Sequence, residues 1–409
     1  MDSLGVLNKA EKALFPIFSG IDAQVKLNLE KVLKIFRSQR VGAHHFAGVN
    51  GYGHGDLGRD ILDHVFAGVL DAEAAIARVQ FVSGTHAIAT ALFGVLRPGD
   101  ELLAVAGAPY DTLEEVIGTR GSGQGSLAEW GITYRQLDLT PAGGIDWDSL
   151  STAIQPQTRL VLMQRSCGYA WRDSLSIAEI ERIVAMVKRQ NPDVICFVDN
   201  CYGELIESQE PPAVGADLIA GSLIKNLGGT IAPTGGYVAG RADLVEQAAC
   251  RLTAPGIGSE GGSSLNLNRL LFQGLFLAPQ MVGEAIKSSH LVAHVFDQLG
   301  YPVNPLPMVP RRDVIQAIQL GNPQELIAFC RAIQQRSPID SYVDPVPAAM
   351  PGYDSELVMA GGTFVDGSTA ELSADGPLRE PYIVFCQGGT HWTHMAIALE
   401  DLLATWPPT

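Results

Sequence analysis

The sequence predicts an α/β fold in which a mostly parallel sheet is sandwiched by helices, with a smaller α+β domain on the C-terminal side. Two observations carry this. Between Ala77 and Gly240 short apolar runs alternate with helical stretches, a pattern that builds a parallel sheet through right-handed crossovers. After about Leu267 the texture changes to long helical stretches, then to proline-rich segments at Tyr301–Pro310 and Pro338–Pro351.

Along the chain, residues 21–39 place Val25, Leu29, Val32, Leu33 and Phe36 at helical spacing. From Val41 to Asp60 the density of glycine breaks that pattern and predicts an irregular loop, after which ILDHVFAGVL resumes a helix. Strands are expected at 77–82, 101–106, 132–137, 159–164, 193–199, 217–222 and 235–240. Helices are expected at Thr85–Leu96 and at Ser176–Arg189, the latter with Ser176 as N-cap. Further on, 268–297 reads as helical, 383–389 as a strand and Thr393–Ala404 as a helix. The chain therefore divides into an N-terminal segment at 1–60, a large domain at 61–267 and a small domain at 268–409.

Composition narrows the function classes. A chain of 409 residues is too long for one small core, and 46% apolar with 18% charged residues describes a well-packed globule. A net charge of −16 argues against binding nucleic-acid phosphates or an anionic membrane surface. It leaves open a phosphate held by backbone N–H groups. The N-terminal stretch reads as no signal peptide, and no run is apolar enough to span a membrane. Cys167, Cys196, Cys201, Cys250, Cys330 and Cys386 are scattered and never spaced CxxC, which predicts reduced thiols and a cytoplasmic protein. His391 and His394 stand at helical spacing, but no motif such as HExxH accompanies them, so no metal site is expected.

Four features stand at the ends of expected strands, where ligands bind in open α/β sheets. Ser83-Gly84-Thr85-His86 joins a strand to a helix, so its amides make an anion site; the alternative is an ordinary N-cap. Tyr110, in APYDT, offers a ring to stack on a flat ligand, or packs in its loop. Asp199 ends a buried apolar strand, where a carboxylate is costly unless paired with a protonated ring nitrogen, a metal or local amides. Lys225, in GSLIKNLGG, sits in a weakly polar run; desolvation lowers the pKa of such a lysine and makes it a nucleophile toward carbonyls, where most lysines are solvated. An anion loop, an aromatic, a strand-end acid and a lysine, in that order, form the layout of fold-type I enzymes that use pyridoxal 5′-phosphate (PLP).

The segments HFAGVNGYGHGDLGRD, QFVSGTHAI, GAPYDTLEEVIG, QRSCGYAWRDS, CFVDNCYGE, GSLIKNLGG, APTGGYVAG and REPYIVFCQGG resemble the methionine γ-lyase-related family known for aluminium resistance, and more distantly the cystathionine β- and γ-lyases. The resemblance implies a lyase that cleaves a carbon–sulfur bond of an amino acid by β- or γ-elimination, giving a keto acid and ammonia. It implies that Lys225 holds PLP as a Schiff base and shuttles the α-proton, and that Asp199 binds the pyridine nitrogen. The loop Ser83 to His86, through the Gly84 and Thr85 amides, and the Ser222 hydroxyl would hold the phosphate; Tyr110 would stack on the ring and act as acid or base. Tyr52 and Arg59 would reach a neighbouring subunit's phosphate site, making the enzyme a homodimer or homotetramer with shared sites. Arg379 would bind the substrate carboxylate, because a guanidinium matches it with two parallel hydrogen bonds, while Arg165 and Tyr169 would shape the substrate pocket. Ile224 stands before the lysine where those lyases commonly carry a hydroxyl residue, so one phosphate contact is lost. Aminotransferase or aldolase chemistry on the same cofactor, and a non-catalytic regulator on the same fold, remain alternatives.

Overall fold

The computed structural model describes residues 3–350 and 352–406. The large sheet is built from β1 (Ala74–Arg78), β2 (Glu101–Ala104), β3 (Thr133–Gln136), β4 (Thr158–Gln164), β5 (Ile195–Asp199), β6 (Leu218–Ser222) and β7 (Gly236–Gly240). Its spatial order is β1-β7-β6-β5-β4-β2-β3. Strands β2 to β6 run parallel and β7 runs antiparallel to both its neighbours, so the sheet is mostly parallel as the alternating pattern predicts. Helices cover both faces, and β5 shows why its sequence is apolar throughout. Cys196 and Val198 point into one core, Ile195 and Phe197 into the other.

Two element boundaries differ from expectation, each for a packing reason. The apolar run at 77–82 is not all strand: β1 ends at Arg78, and Phe81 turns back, its amide donating to the Arg78 carbonyl, to bury its ring in the core. The N-terminal helix spans Ser3–Ser38 and runs through Pro16, well before the expected start at residue 21. Leu7, Ala10, Leu14 and Phe18 in its first half are buried in the small domain's core, and that burial holds a segment whose local sequence includes a helix breaker. The helix Asn268–Gln298 serves both cores: Leu271, Phe272 and Leu275 pack under the large sheet, and Leu291, Val295 and Phe296 under the small one.

The small sheet contains β8 (Val303–Asn304), β9 (Gln316–Gln319), β10 (Leu357–Ala360), β11 (Ser373–Pro377) and β12 (Ile383–Gln387), in the order β10-β11-β12-β9-β8 and antiparallel throughout. Its two faces separate cleanly. Ala374, Val384 and Cys386 enter the small-domain core, while Asp375, Phe385 and Gln387 face the large domain. Among the described residues no helix is long and apolar enough to cross a membrane.

Candidate active site

A cavity of about 330 Å³ opens between the C-terminal ends of the large sheet's strands and the face of the small sheet turned away from its own core. Its inner wall is assembled from strand ends. The helix Gly84–Val95 starts just past β1, β4 ends at Gln164, β5 at Asp199 and β6 at Ser222, so one sheet edge gathers residues far apart in the chain. Ser83 caps the helix, its Oγ accepting the His86 amide at 3.1 Å. That leaves the Gly84 and Thr85 amides without an intrahelical partner, and both residues line the cavity. Glycine at residue 84 eases this approach: a Cβ there would stand 3.1 Å from the Ser222 Cβ and 3.3 Å from the Cys201 Sγ, and its neighbours would have to give by a few tenths of an ångström. His86 does not join the wall; its ring turns back, and Nδ1 accepts the Val82 amide at 3.2 Å.

Lys225 lines the cavity with Asp199, and its ammonium donates to the Tyr202 hydroxyl while lying 4.1 Å above that ring. Burial pulls the lysine pKa down, but Tyr202, Cys201 and Asp375 outweigh it, and the pKa ends above the ordinary lysine value. The lowered pKa expected from desolvation alone is therefore reversed, because the lysine is desolvated among groups that stabilise its positive charge. Asp199 is pushed up to about 6 by burial, against the pull of the Cys201 amide and the charges of Lys225 and Arg172. Tyr110 is fixed at both ends, its amide donating to Gln164 Oε1 at 2.8 Å and its hydroxyl 2.8 Å from Thr85 Oγ1. Burial, reinforced by Asp199, pushes its phenol well above the ordinary range. Tyr110 thus offers a ring face and a protonated hydroxyl rather than a base.

Three expected site arginines lie elsewhere. Arg165 is fully buried behind the wall, paired with Glu207 at 3.0 Å and Glu210 at 3.5 Å and donating to Asn200 Oδ1 at 2.9 Å; it braces the turn after β5 and does not shape the pocket. Arg379 stands exposed in the turn between β11 and β12, outside the cavity wall, because it precedes β12 in the hairpin rather than lying on the strand face. Arg59 is buried and turned into its own chain, donating to the Gly53 carbonyl at 2.6 Å and the Gly262 carbonyl at 3.1 Å, which occupies the guanidinium expected to reach a neighbour. Tyr52, by contrast, is 84% exposed. Tyr169 does line the cavity, with Tyr353 and Phe385 around it.

Several wall residues escaped the sequence reading. Tyr202 sits at a left-handed φ of 69° two residues past Asn200, inside the motif CFVDNCYGE, a strained position of the kind that gathers at functional sites. Arg172 is buried below the wall and donates to the Gln164 carbonyl at 3.0 Å and to the Ser166 carbonyl, holding the loop after β4. Asp375 was readable only as an acid in a strand, ELSADGP, whose partner strand and orientation depend on the tertiary fold.

Comparison with known proteins gives the family and the fold. The methionine gamma-lyase family model matches residues 3–406. The uncharacterized protein YnbB of Bacillus subtilis is 47% identical over 399 residues, covering 96% of this chain and 95% of its own. A Listeria monocytogenes crystal structure described as a candidate cystathionine beta-lyase involved in aluminium resistance superposes with a TM-score of 0.95 at 46% identity, covering 98% of this chain and 99% of its own. A carbon–sulfur lyase involved in aluminium resistance from Clostridium novyi superposes with a TM-score of 0.93 at 46% identity, covering 98% and 94%. The fold is that of fold-type I PLP enzymes, as the sequence predicts. With the family model matching nearly the whole chain, the protein belongs to the methionine gamma-lyase family.

Proposed function

We propose that the chain is a PLP-dependent lyase that cleaves a carbon–sulfur bond of an amino acid by β- or γ-elimination, releasing a thiol, a keto acid and ammonia. The observation that supports this most is the convergence of the Lys225 amine, the buried Asp199 carboxylate and the Gly84–Thr85 helix start on one cavity. These residues suit PLP on chemical grounds. A buried carboxylate whose pKa has risen to about 6 needs a cationic partner, and a protonated pyridine nitrogen is one. The Gly84 and Thr85 amides with the Ser222 hydroxyl would take the phosphate, Lys225 the aldehyde carbon, and Tyr110 the ring face. When bound, PLP would supply the electron sink for charge that develops at the substrate α-carbon.

The chain's own groups supply the proton movements. Lys225 would accept the α-proton, and surroundings that favour its ammonium form would let it return that proton to the departing sulfur or to a substrate carbon. Tyr202, in hydrogen bond with the amine, would keep it over the reacting atoms. A dimer or tetramer forms part of the proposal, with the exposed Tyr52 available to a second copy; sedimentation would measure it. The cytoplasm is the compartment that suits free cysteines such as the buried Cys167, Cys196, Cys330 and Cys386.

The test is an amino-acid panel of cystathionine, cysteine, methionine, homocysteine and threonine assayed for keto acid and thiol, alongside the visible spectrum of the purified protein. Lys225→Ala is expected to abolish both turnover and the absorbance of the lysine-bound cofactor. Turnover retained in that variant would overturn the reading.

A further inference from the structure

The cavity's outer wall carries a carboxylate with one oxygen left unpartnered. Asp375 is 7% exposed, and its Oδ1 is buried with no hydrogen-bond partner among the described residues. Burial pushes its carboxyl up to about 6, while the Tyr169 hydroxyl and the charge of Lys225 hold it down, so at neutral pH it is chiefly an anion. The Gln387 amide oxygen, on the next strand of the same sheet face, is also buried and unpartnered. Both are acceptors, and both line the cavity. Around them stand aromatic rings: Tyr169 lies 5.7 Å from Tyr353 and 5.2 Å from Phe385, centroid to centroid.

Unpaired acceptor oxygens ringed by aromatic faces describe a site for a cation with several N–H donors. Among the described residues no arginine lines this cavity, and the one lysine that does is the residue assigned to the cofactor. We propose that Asp375 and Gln387, within the Tyr169–Tyr353–Phe385 cage, form a subsite for a primary ammonium on the substrate's leaving group. The substrate class is then a sulfur amino acid whose second arm ends in a positive charge, not a neutral thioether. This rests on the lyase reading above.

Two matched pairs of compounds test it. S-(2-aminoethyl)-L-cysteine and S-propyl-L-cysteine differ only in an ammonium against a methyl at the end of the arm. The holoenzyme is expected to favour the aminoethyl compound about 10-fold or more in kcat/KM, the scale of a charged hydrogen bond. In Asp375→Asn the ratio between the two should fall below about threefold by the same reasoning. No preference in the wild type, a preference that survives the substitution, or an equal fall for both compounds would overturn the subsite. L-lysine against L-2-aminoheptanoate, which place an ammonium or a methyl at the same distance from the α-carbon as the two thioethers do, compared by calorimetric titration of the wild-type protein, decides the same point without turnover or a variant: tighter binding of lysine supports the subsite and equal binding removes it. If neither thioether yields keto acid and thiol and the protein shows no visible cofactor absorbance, the lyase reading falls, and the lysine–aminoheptanoate contrast still judges the ammonium site.

Discussion

Gly84, Asp199 and Ser222 each stand where a strand of the large sheet gives way to a turn or helix, with Lys225 just beyond; Asp375, Phe385 and Gln387 stand on the flat face of the small sheet. The two halves of the cavity differ in what a substitution can disturb. On the inner side the backbone itself does part of the work, through helix-start amides and a close approach at residue 84 that leaves little room for a Cβ. On the outer side Asp375, Phe385 and Gln387 face the cavity with their side chains, and alternation along β11 and β12 lets one be exchanged while its neighbours Ala374, Val384 and Cys386 keep the core. Chemistry common to a cofactor class belongs on the first kind of wall, and discrimination between substrates on the second.

The contrast predicts that inner-wall substitutions act on the chemical step and outer-wall ones on substrate choice. The largest effect, after loss of Lys225, is expected for Asp199→Asn. An amide cannot offset the charge of a protonated ring nitrogen, and kcat should fall at least ~100-fold, the scale seen when a preorganised electrostatic contact is removed. The fall should be shared by every substrate in the panel. A substrate-dependent loss would erase the division between the two walls. The same variant should change stability in the cofactor-free protein. The folded-state pKa of Asp199, about 6, lies above its ordinary 3.8, so the fold holds this proton more tightly than the unfolded chain does. The stabilisation is full below the ordinary value and is lost as pH rises through the folded one. Asn removes that loss, so at pH 8 the variant should be the more stable by about 3 kcal/mol, from the pKa difference. Denaturant titrations at pH 4 and pH 8 would measure it.

Arg165 tests the boundary from behind the inner wall. Arg165→Ala leaves Glu210 buried without its counter-charge and Asn200 without a donor, and should lower stability by about 3 to 5 kcal/mol. Because the guanidinium touches nothing in the cavity, KM for any substrate should stay within about twofold, the range of a substitution outside the binding contacts. A KM that rises instead would return Arg165 to the pocket.

The inner wall was legible in the sequence because each of its parts is a local signal: SGT before a helix, an acid closing the apolar run ICFVD, a lysine after LIAGS. Strand ends of a parallel sheet share one edge, so naming the ends also assembles the site. The outer wall was not legible for the opposite reason. Whether Asp375 points at a ligand or at solvent depends on which face of the small sheet meets the large domain, and β11 alone does not say. The arginines misled because residue type was read without burial. Arg165 answers two glutamates that come later in the chain, and Arg59 answers carbonyls of its own loop and of residue 262. The N-terminal helix showed its periodicity only over 21–39; its first half runs through Pro16, whose local cost is met by contacts with a core formed some 280 residues later in the chain, around Leu291 to Phe296.

The smallest expected effect is the sharpest check on the outer wall. Arg379 is exposed in the β11–β12 turn, and its backbone makes the turn's hydrogen bonds, the amide donating to the Pro377 carbonyl at 2.8 Å and the carbonyl accepting the Tyr382 amide at 2.7 Å. Arg379→Ala should therefore shift stability by no more than ~0.5 kcal/mol, as exposed substitutions do. KM for the preferred substrate should be unchanged, because no group in the wall is lost. A tenfold rise in KM would mean that the guanidinium binds the carboxylate in a neighbouring copy's cavity. The outer wall would then hold a charge from two chains, and substrate choice would depend on assembly as well as on Asp375.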